Sequence, residues 1–125
     1  MYLLNTAKSN GEMEDKKIDK IVKQLIKATN QFDVKAALKL FSEDAVIDDV
    51  SVGEKFQHTA GIRTYIEKFF IGYNTVTKIE SIEPVSSREA KVQVDFTGDF
   101  GHETGGLNIT VNAAGLIIGI DAYLD

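Results

Sequence analysis

The chain opens with helical periodicity and closes with strand periodicity. From Asp15 to Asn30, Ile18, Ile21, Val22, Leu25 and Ile26 recur at the spacing of one helix face, while Lys16, Lys17, Lys20, Lys23 and Lys27 fill the other. A lysine run on such a helix reads as a solvated face rather than an anion site. Asp33 is placed to cap a shorter second helix, Val34 to Phe41, burying Ala37, Leu38 and Phe41. So short a link makes the two helices pack as a pair. Ala45 to Val50 then reads as a strand, Ser51 to Glu54 as a turn around Gly53, and Lys55 to Thr59 as the returning strand. Thr59 can cap a third helix, Gly61 to Phe70, whose stripe is Ile62, Tyr65, Ile66, Phe69 and Phe70.

After Gly72 the period changes to two. Thr75 to Val85 is rich in β-branched residues. Arg88 to Phe100 sets Ala90, Val92, Val94 and Phe96 against Lys91, Gln93, Asp95 and Thr97. Gly101 and His102 predict a hairpin turn, after which Leu107, Ile109 and Val111 alternate with polar partners. Ala113 to Gly115 turns again. In the last strand, Leu116 to Leu124, one face carries Leu116, Ile118, Ile120, Ala122 and Leu124, and the other Ile117, Gly119, Asp121 and Tyr123. Helices first and a strand meander after them predict an α+β fold rather than a doubly wound sheet. A last strand that is apolar on nearly both faces predicts a homodimer through the sheet.

Composition narrows the function classes. A length of 125 residues suits one domain, with residues 1–14 as a flexible lead-in and 15–125 as the domain. A net charge of −5 gives no reason to expect nucleic acid or an anionic membrane surface as partner. The absence of cysteine removes thiolate chemistry and Cys-based zinc sites. Two histidines and scattered aspartates show no metal-ligand spacing, and TGDFGHETGG lacks the strand-to-helix context of a phosphate loop, so no metal and no cofactor are expected. The N-terminal text has no apolar core of signal-peptide length, and a cytoplasmic location is the expectation.

Three stretches carry a family resemblance: ATNQFDVKAALKLFSEDAVIDDV (Ala28 to Val50), GIRTYIEKFF (Gly61 to Phe70) and GLIIGIDAYLD (Gly115 to Asp125). The first resembles the N-x-x-D … L-F-x-x-D-A-x-x-x-D phrase of the NTF2-like superfamily, close to its SnoaL-like cyclases, ketosteroid isomerases and limonene-epoxide-hydrolase types. The resemblance implies a cone-shaped barrel, three helices closing a curved, mainly antiparallel sheet around a pocket. The fold hosts enzymes and binding modules alike, so it does not fix an activity.

The resemblance places the isomerase's strand base on Asp49, whose face also carries Ala45 and Ile47. It places that family's oxyanion donors on Leu25 and Leu107, which cannot donate, and disfavours steroid isomerisation. The epoxide-hydrolase Asp falls on Ala122, and no Arg–x–Asp pair lies on Arg88 to Phe100, so that reaction is disfavoured too.

Of the two adjacent carboxylates, strand alternation turns Asp49 inward and Asp48 outward. The functional reading of Asp49 is a general base in an apolar pocket; the alternative is a carboxylate hydrogen-bonded near the cone mouth. If Val50 faces Lys55, His58 pairs with Ile47 and shares a side with Asp49, where it could assist; a one-residue slip removes it. His102 reads as an exposed turn residue and Asp121 as a sheet-contact residue. The expected pocket walls are Ile47, Phe56, Tyr65, Phe69, Val92, Val94, Phe96, Leu107, Ile109, Ile118, Ile120 and Leu124, with Phe70 and Tyr73 as further aromatic candidates. So apolar a wall suits a small, largely apolar molecule. Proton transfer of isomerase or cyclase type competes with a non-catalytic binding or dimeric assembly module.

Overall fold

The computed structural model describes residues 17–125, so the expected lead-in over residues 1–14 lies outside the described residues. The first helix, α1, occupies residues 17–30 and buries Ile18, Val22, Leu25 and Ile26, the stripe the spacing predicts. Each such side chain contributes roughly 1.5–3 kcal/mol when it leaves water. Asn30 ties the end of α1 to the sheet: its amide nitrogen donates to the Thr77 carbonyl at 2.9 Å, and its Oδ1 accepts from the Thr77 N–H at 2.7 Å. No helix among the described residues is long and apolar enough to cross a membrane.

The second helix, α2 (Val34–Leu38), is shorter than expected, although Asp33 caps it by accepting from the Ala36 N–H at 3.0 Å. The chain leaves it early because β1 (Phe41–Asp49) starts at Phe41, whose buried ring belongs to a strand rather than to the helix. The return strand β2 is Glu54–Gln57 and the third helix α3 is His58–Ile66. β3 (Val76–Ser86), β4 (Glu89–Gly98), β5 (Gly101–Val111) and β6 (Ile117–Leu124) complete the chain.

All six strands form one sheet in the order β2-β1-β6-β5-β4-β3. The meander from β3 to β6 is antiparallel, and β1 lies parallel to β6. The helices cover the concave face, where Ala45, Ile47, Val92, Val94, Ile109, Ile117 and Ile120 are buried.

Three local features depart from simple alternation. The β4–β5 hairpin turns at Asp99 and Phe100, because Gly98 already pairs with Gly101; His102 is therefore a strand residue, not a turn residue. Between Val111↔Ile117 and Thr110↔Gly119 the register slips by one residue. This β-bulge reverses the side-chain alternation, so Ile117 and Ile120 both face the core and Ile118, expected inside, is turned out to 38% exposure. On the outer face, Tyr123 lies across Gly106, where an added Cβ would sit 2.3 Å from the phenol ring, and its hydroxyl meets Gln93 Oε1 at 3.2 Å. Tyr123, on the outer face of β6, thus packs back onto its own chain.

Candidate functional site

The end of β1 sets the site. Ala45, Ile47 and Asp49 share the inner side of the strand and all three are buried, whereas Asp48, on the other side, is half-buried. A carboxylate with only 7% exposure costs several kcal/mol unless donors replace its water. Three donors do so. The Ser51 N–H donates to Asp49 Oδ1 at 2.9 Å and the Ser51 hydroxyl to the same oxygen at 2.5 Å. The Tyr65 hydroxyl donates to Oδ2 at 2.6 Å. The Ser51 pair is an Asx turn, the local device by which Asp bonds the backbone two residues on. Tyr65 comes from the buried face of α3. A carboxylate offers about four acceptor sites. Oδ1 is filled by two donors and Oδ2 holds one, so one acceptor position of Oδ2 has no partner among the described residues, on a side chain that lines the cavity.

Burial pushes the Tyr65 phenol well above its ordinary range, and the hydrogen bond to Asp49 and that carboxylate's charge push the same way. Tyr65 is accordingly a neutral, permanently donating partner. Its ring sits 5.0 Å from both Phe56 and Phe69, edge-on to the first and tilted to the second.

The cavity in front of Asp49 measures about 270 Å³. Its walls continue from Tyr65 to Phe69, Phe70 and Tyr73, which lie just beyond α3. There the helix widens into a π turn, Glu67–Ile71, closed by the Gly72 N–H donating to the Glu67 carbonyl at 2.8 Å. Such turns collect at functional sites. Gly72 is required in this one, since a Cβ would meet the Lys68 carbonyl oxygen at 2.5 Å. The tip of the β4–β5 hairpin docks beside it: the Asp99 N–H donates to the Tyr73 carbonyl at 2.8 Å, and the Phe100 ring stands edge-on to Tyr73 at 6.2 Å. Phe96, Thr75, Val52, Glu103 and Leu124 complete the lining.

Of the residues expected to form the pocket, Asp49, Tyr65, Phe69, Phe96 and Leu124 line this cavity. Ile47, Leu107 and Ile120 line instead a gap of about 20 Å³ behind Tyr65, together with Leu25. That gap is where the resemblance would put oxyanion donors, and its walls are apolar. Phe56 supports Tyr65 from behind, Val92, Val94 and Ile109 are buried in the core, and Ile118 faces outward.

His58 is placed quite differently from the expectation. The β1–β2 ladder pairs Ile47 with Phe56 and Asp48 with Lys55, two positions from the assumed register, and ends at Val46↔Gln57. His58 therefore begins α3, exposed, with φ at +63° and outside the cavity lining.

His102, on the outer face, bonds Asp95 Oδ1 through Nε2 at 2.6 Å, and this bond, with the charge of Asp95, raises the affinity of the imidazole for its proton. Asp121 is exposed and forms no ion pair among the described residues.

Ser51, Val52, Thr75, Phe100 and Glu103 were not read from the sequence as site residues. Two of them had signals. Asp-Val-Ser at a strand end is an Asx-turn pattern, and Glu103 shares the parity of Leu107 and Ile109.

The model of the SnoaL-like domain matches residues 22–117. The chain belongs to this SnoaL-like family. Solved structures share its fold at low identity. One is a putative ketosteroid isomerase from Kribbella flavida, 12% identical, with a TM-score of 0.80 over 90% of this chain and 80% of that one. Another is RV0760c from Mycobacterium tuberculosis in complex with estradiol-17beta-hemisuccinate, 19% identical, with a TM-score of 0.78 over 87% and 94%. A third is SalBIII, an epoxide hydrolase/cyclase-like enzyme of pyran ring formation in the polyether salinomycin, 18% identical, with a TM-score of 0.77 over 88% and 92%. No curated protein matches the chain significantly. The SnoaL-like domain of this chain thus shares a cone with an isomerase-like, a ligand-bound and a cyclase-like protein.

Proposed function

We propose that this SnoaL-like chain binds a small, largely apolar molecule in the cone cavity, with Asp49 as the base of an isomerase- or cyclase-type proton transfer. One observation carries the reading: a buried carboxylate, fixed by three donors and with one acceptor position unfilled, lines an aromatic cavity of about 270 Å³. A base held in one geometry loses little entropy on meeting its proton. Proton removal next to a carbonyl also needs a donor for the developing oxyanion. The Tyr65, Ser51 and Thr75 hydroxyls are already engaged, the last with the Phe69 carbonyl at 2.7 Å. The Tyr73 hydroxyl has no partner among the described residues and is the donor this reading assigns.

The engaged hydroxyls also favour a second reading, a binding protein without turnover. The small ketone 2-tetralone separates the two. In deuterated buffer, the enzyme reading expects the protein to accelerate exchange of the ketone's α-protons, and Asp49→Asn to bind the ketone without that acceleration. Binding with no acceleration in the wild type leaves the binding module. Equal acceleration by wild type and Asp49→Asn removes Asp49 as the base.

A homodimer through the outer sheet face belongs to the same proposal. In support, one cross-strand row there aligns Lys91, Asn108, Asp121, Asp48 and Lys55, carrying both signs of charge for a self-complementary contact. Sedimentation equilibrium tests it.

A further inference from the structure

The cavity wall is one-sided in its chemistry. Among the described residues it carries two carboxylates, Asp49 and Glu103, and no Lys, Arg or His. The hydroxyls of Tyr65, Ser51 and Thr75 are spent as donors inside the protein. Apart from the Tyr73 hydroxyl, a ligand therefore meets acceptors and the faces of aromatic rings, which are electron-rich.

Glu103 has a particular place. On β5 it pairs with Phe96 across the ladder and has the parity of the inward residues Gly105 and Leu107. It lines the cavity yet is exposed, so it stands at the mouth, opposite in position to buried Asp49. No hydrogen bond or ion pair among the described residues engages its carboxylate. Around the same mouth Val52, Tyr73, Phe100 and Leu124 are each about two-fifths exposed, with 41%, 43%, 44% and 42% of their surface open. Asp99, at the β4–β5 turn, and Asp125, whose N–H donates to the Thr104 carbonyl at 2.9 Å, stand at this end of the sheet too. The wall also shows its preference internally: the Lys68 ammonium lies over the Phe69 ring, 5.3 Å from its centroid, without lining the cavity.

We infer that the ligand of this cavity is an amphipathic organic cation: an apolar body held among the rings, and a protonated amine at the mouth on Glu103. Asp49 is left free for the inner end of the molecule. The inference rests on the small-molecule reading above and names the class of molecule. A carboxylate or phosphate ester would meet two like charges and no lining cation among the described residues; a neutral alcohol could donate a hydrogen bond to Glu103 but would leave its charge unpaired. The acidic residues at the mouth favour approach of a cation for the same reason.

A matched set of bicyclic probes tests this by calorimetry or NMR titration: 2-aminotetralin (cationic at pH 7), 2-tetralol (neutral) and tetralin-2-carboxylate (anionic). The expected order is amine, then alcohol, then acid, with the amine bound about tenfold tighter than the alcohol. Added salt should narrow that ratio, because the mouth is open to solvent. Glu103→Gln, an exposed change that leaves the fold intact, should reduce the amine-to-alcohol ratio to about two- or threefold, the share left to the rings. An acid that binds as well as the amine overturns the inference, as does a tenfold ratio that survives Glu103→Gln. Binding of alcohol and amine with equal affinity overturns it while leaving the small-molecule reading in place. If none of the three probes binds and 2-tetralone does not either, both fail together.

Discussion

Replacing Tyr65 with Phe removes one oxygen and little else. The ring keeps its neighbours Phe56 and Phe69, both 5.0 Å away, so packing is preserved. The loss is a 2.6 Å buried hydrogen bond to a carboxylate. Bonds to charged groups contribute about 1.5–3 kcal/mol. Because Asp49 also faces the cavity, water entering there can replace part of this, so the lower half of the range is expected. For a chain of this length each kcal/mol moves the melting temperature by roughly 4 °C, giving a fall of about 6–12 °C over the full range. Urea denaturation of wild type, Tyr65→Phe, Asp49→Asn and the double variant closes a thermodynamic cycle, and the coupling should exceed about 1 kcal/mol. The pH dependence gives a second readout. In the unfolded chain the Tyr65 phenol releases its proton near pH 10; in the folded chain burial and Asp49 hold it to higher pH. The folded state then binds more protons than the unfolded one, so this contribution is intact below about pH 10 and is lost as pH rises above it. Tyr65→Phe should flatten that alkaline decline. A variant as stable as wild type within about 0.5 kcal/mol, with an unchanged alkaline limb and no coupling, would refute the account of how Asp49 is held.

Two other substitutions probe the frame around the site. His58→Gly relieves a left-handed backbone position at no cost in contacts, since the side chain is exposed; stability should stay level or rise by up to about 1 kcal/mol, and 2-tetralone affinity should not change. A large loss of affinity would return His58 to the site. Gly106→Ala drives a methyl into the Tyr123 ring and should cost about 1–3 kcal/mol in chemical denaturation, much of it recovered when Tyr123 is also cut to Ala. No recovery would mean that the clash lies elsewhere.

The parts of this fold that were legible in the sequence are those ruled by a single period. The α1 stripe, the alternation of β4 and β5 and the inward turn of Asp49 needed only 3.6 or 2 residues per repeat. Where a period is interrupted, the sequence was silent. The bulge after Ile117 inserts one residue into β6, and nothing in LIIGIDAYL marks where the faces exchange. Phe41 looked helical because it lies at helical spacing from Ala37 and Leu38, but the sheet claims it first. The site itself was half visible. Asp49 and Tyr65 each stood out, but their bond joins a strand to a helix 16 positions away, and only the packing of α3 on β1 brings them together. The His58 register depended on the length of the β1–β2 turn, which fixes which residues pair and cannot be read from the strands.

The π turn before Gly72 has a consequence for how this pocket can change over generations. It holds one residue more per hydrogen-bonded ring than an ordinary helical turn. Losing a single residue between Glu67 and Ile71 would let the helix close as an ordinary α turn, with the chain beyond it keeping nearly the same phase around the helix axis. Tyr73, the hairpin tip that docks on its carbonyl and the six strands would keep their places, while the stretch of wall that holds Phe69 and Phe70 lost one residue. One lost codon could therefore reshape the aromatic wall of the cavity in a single step, while the cone and the mouth beyond the turn stayed in place.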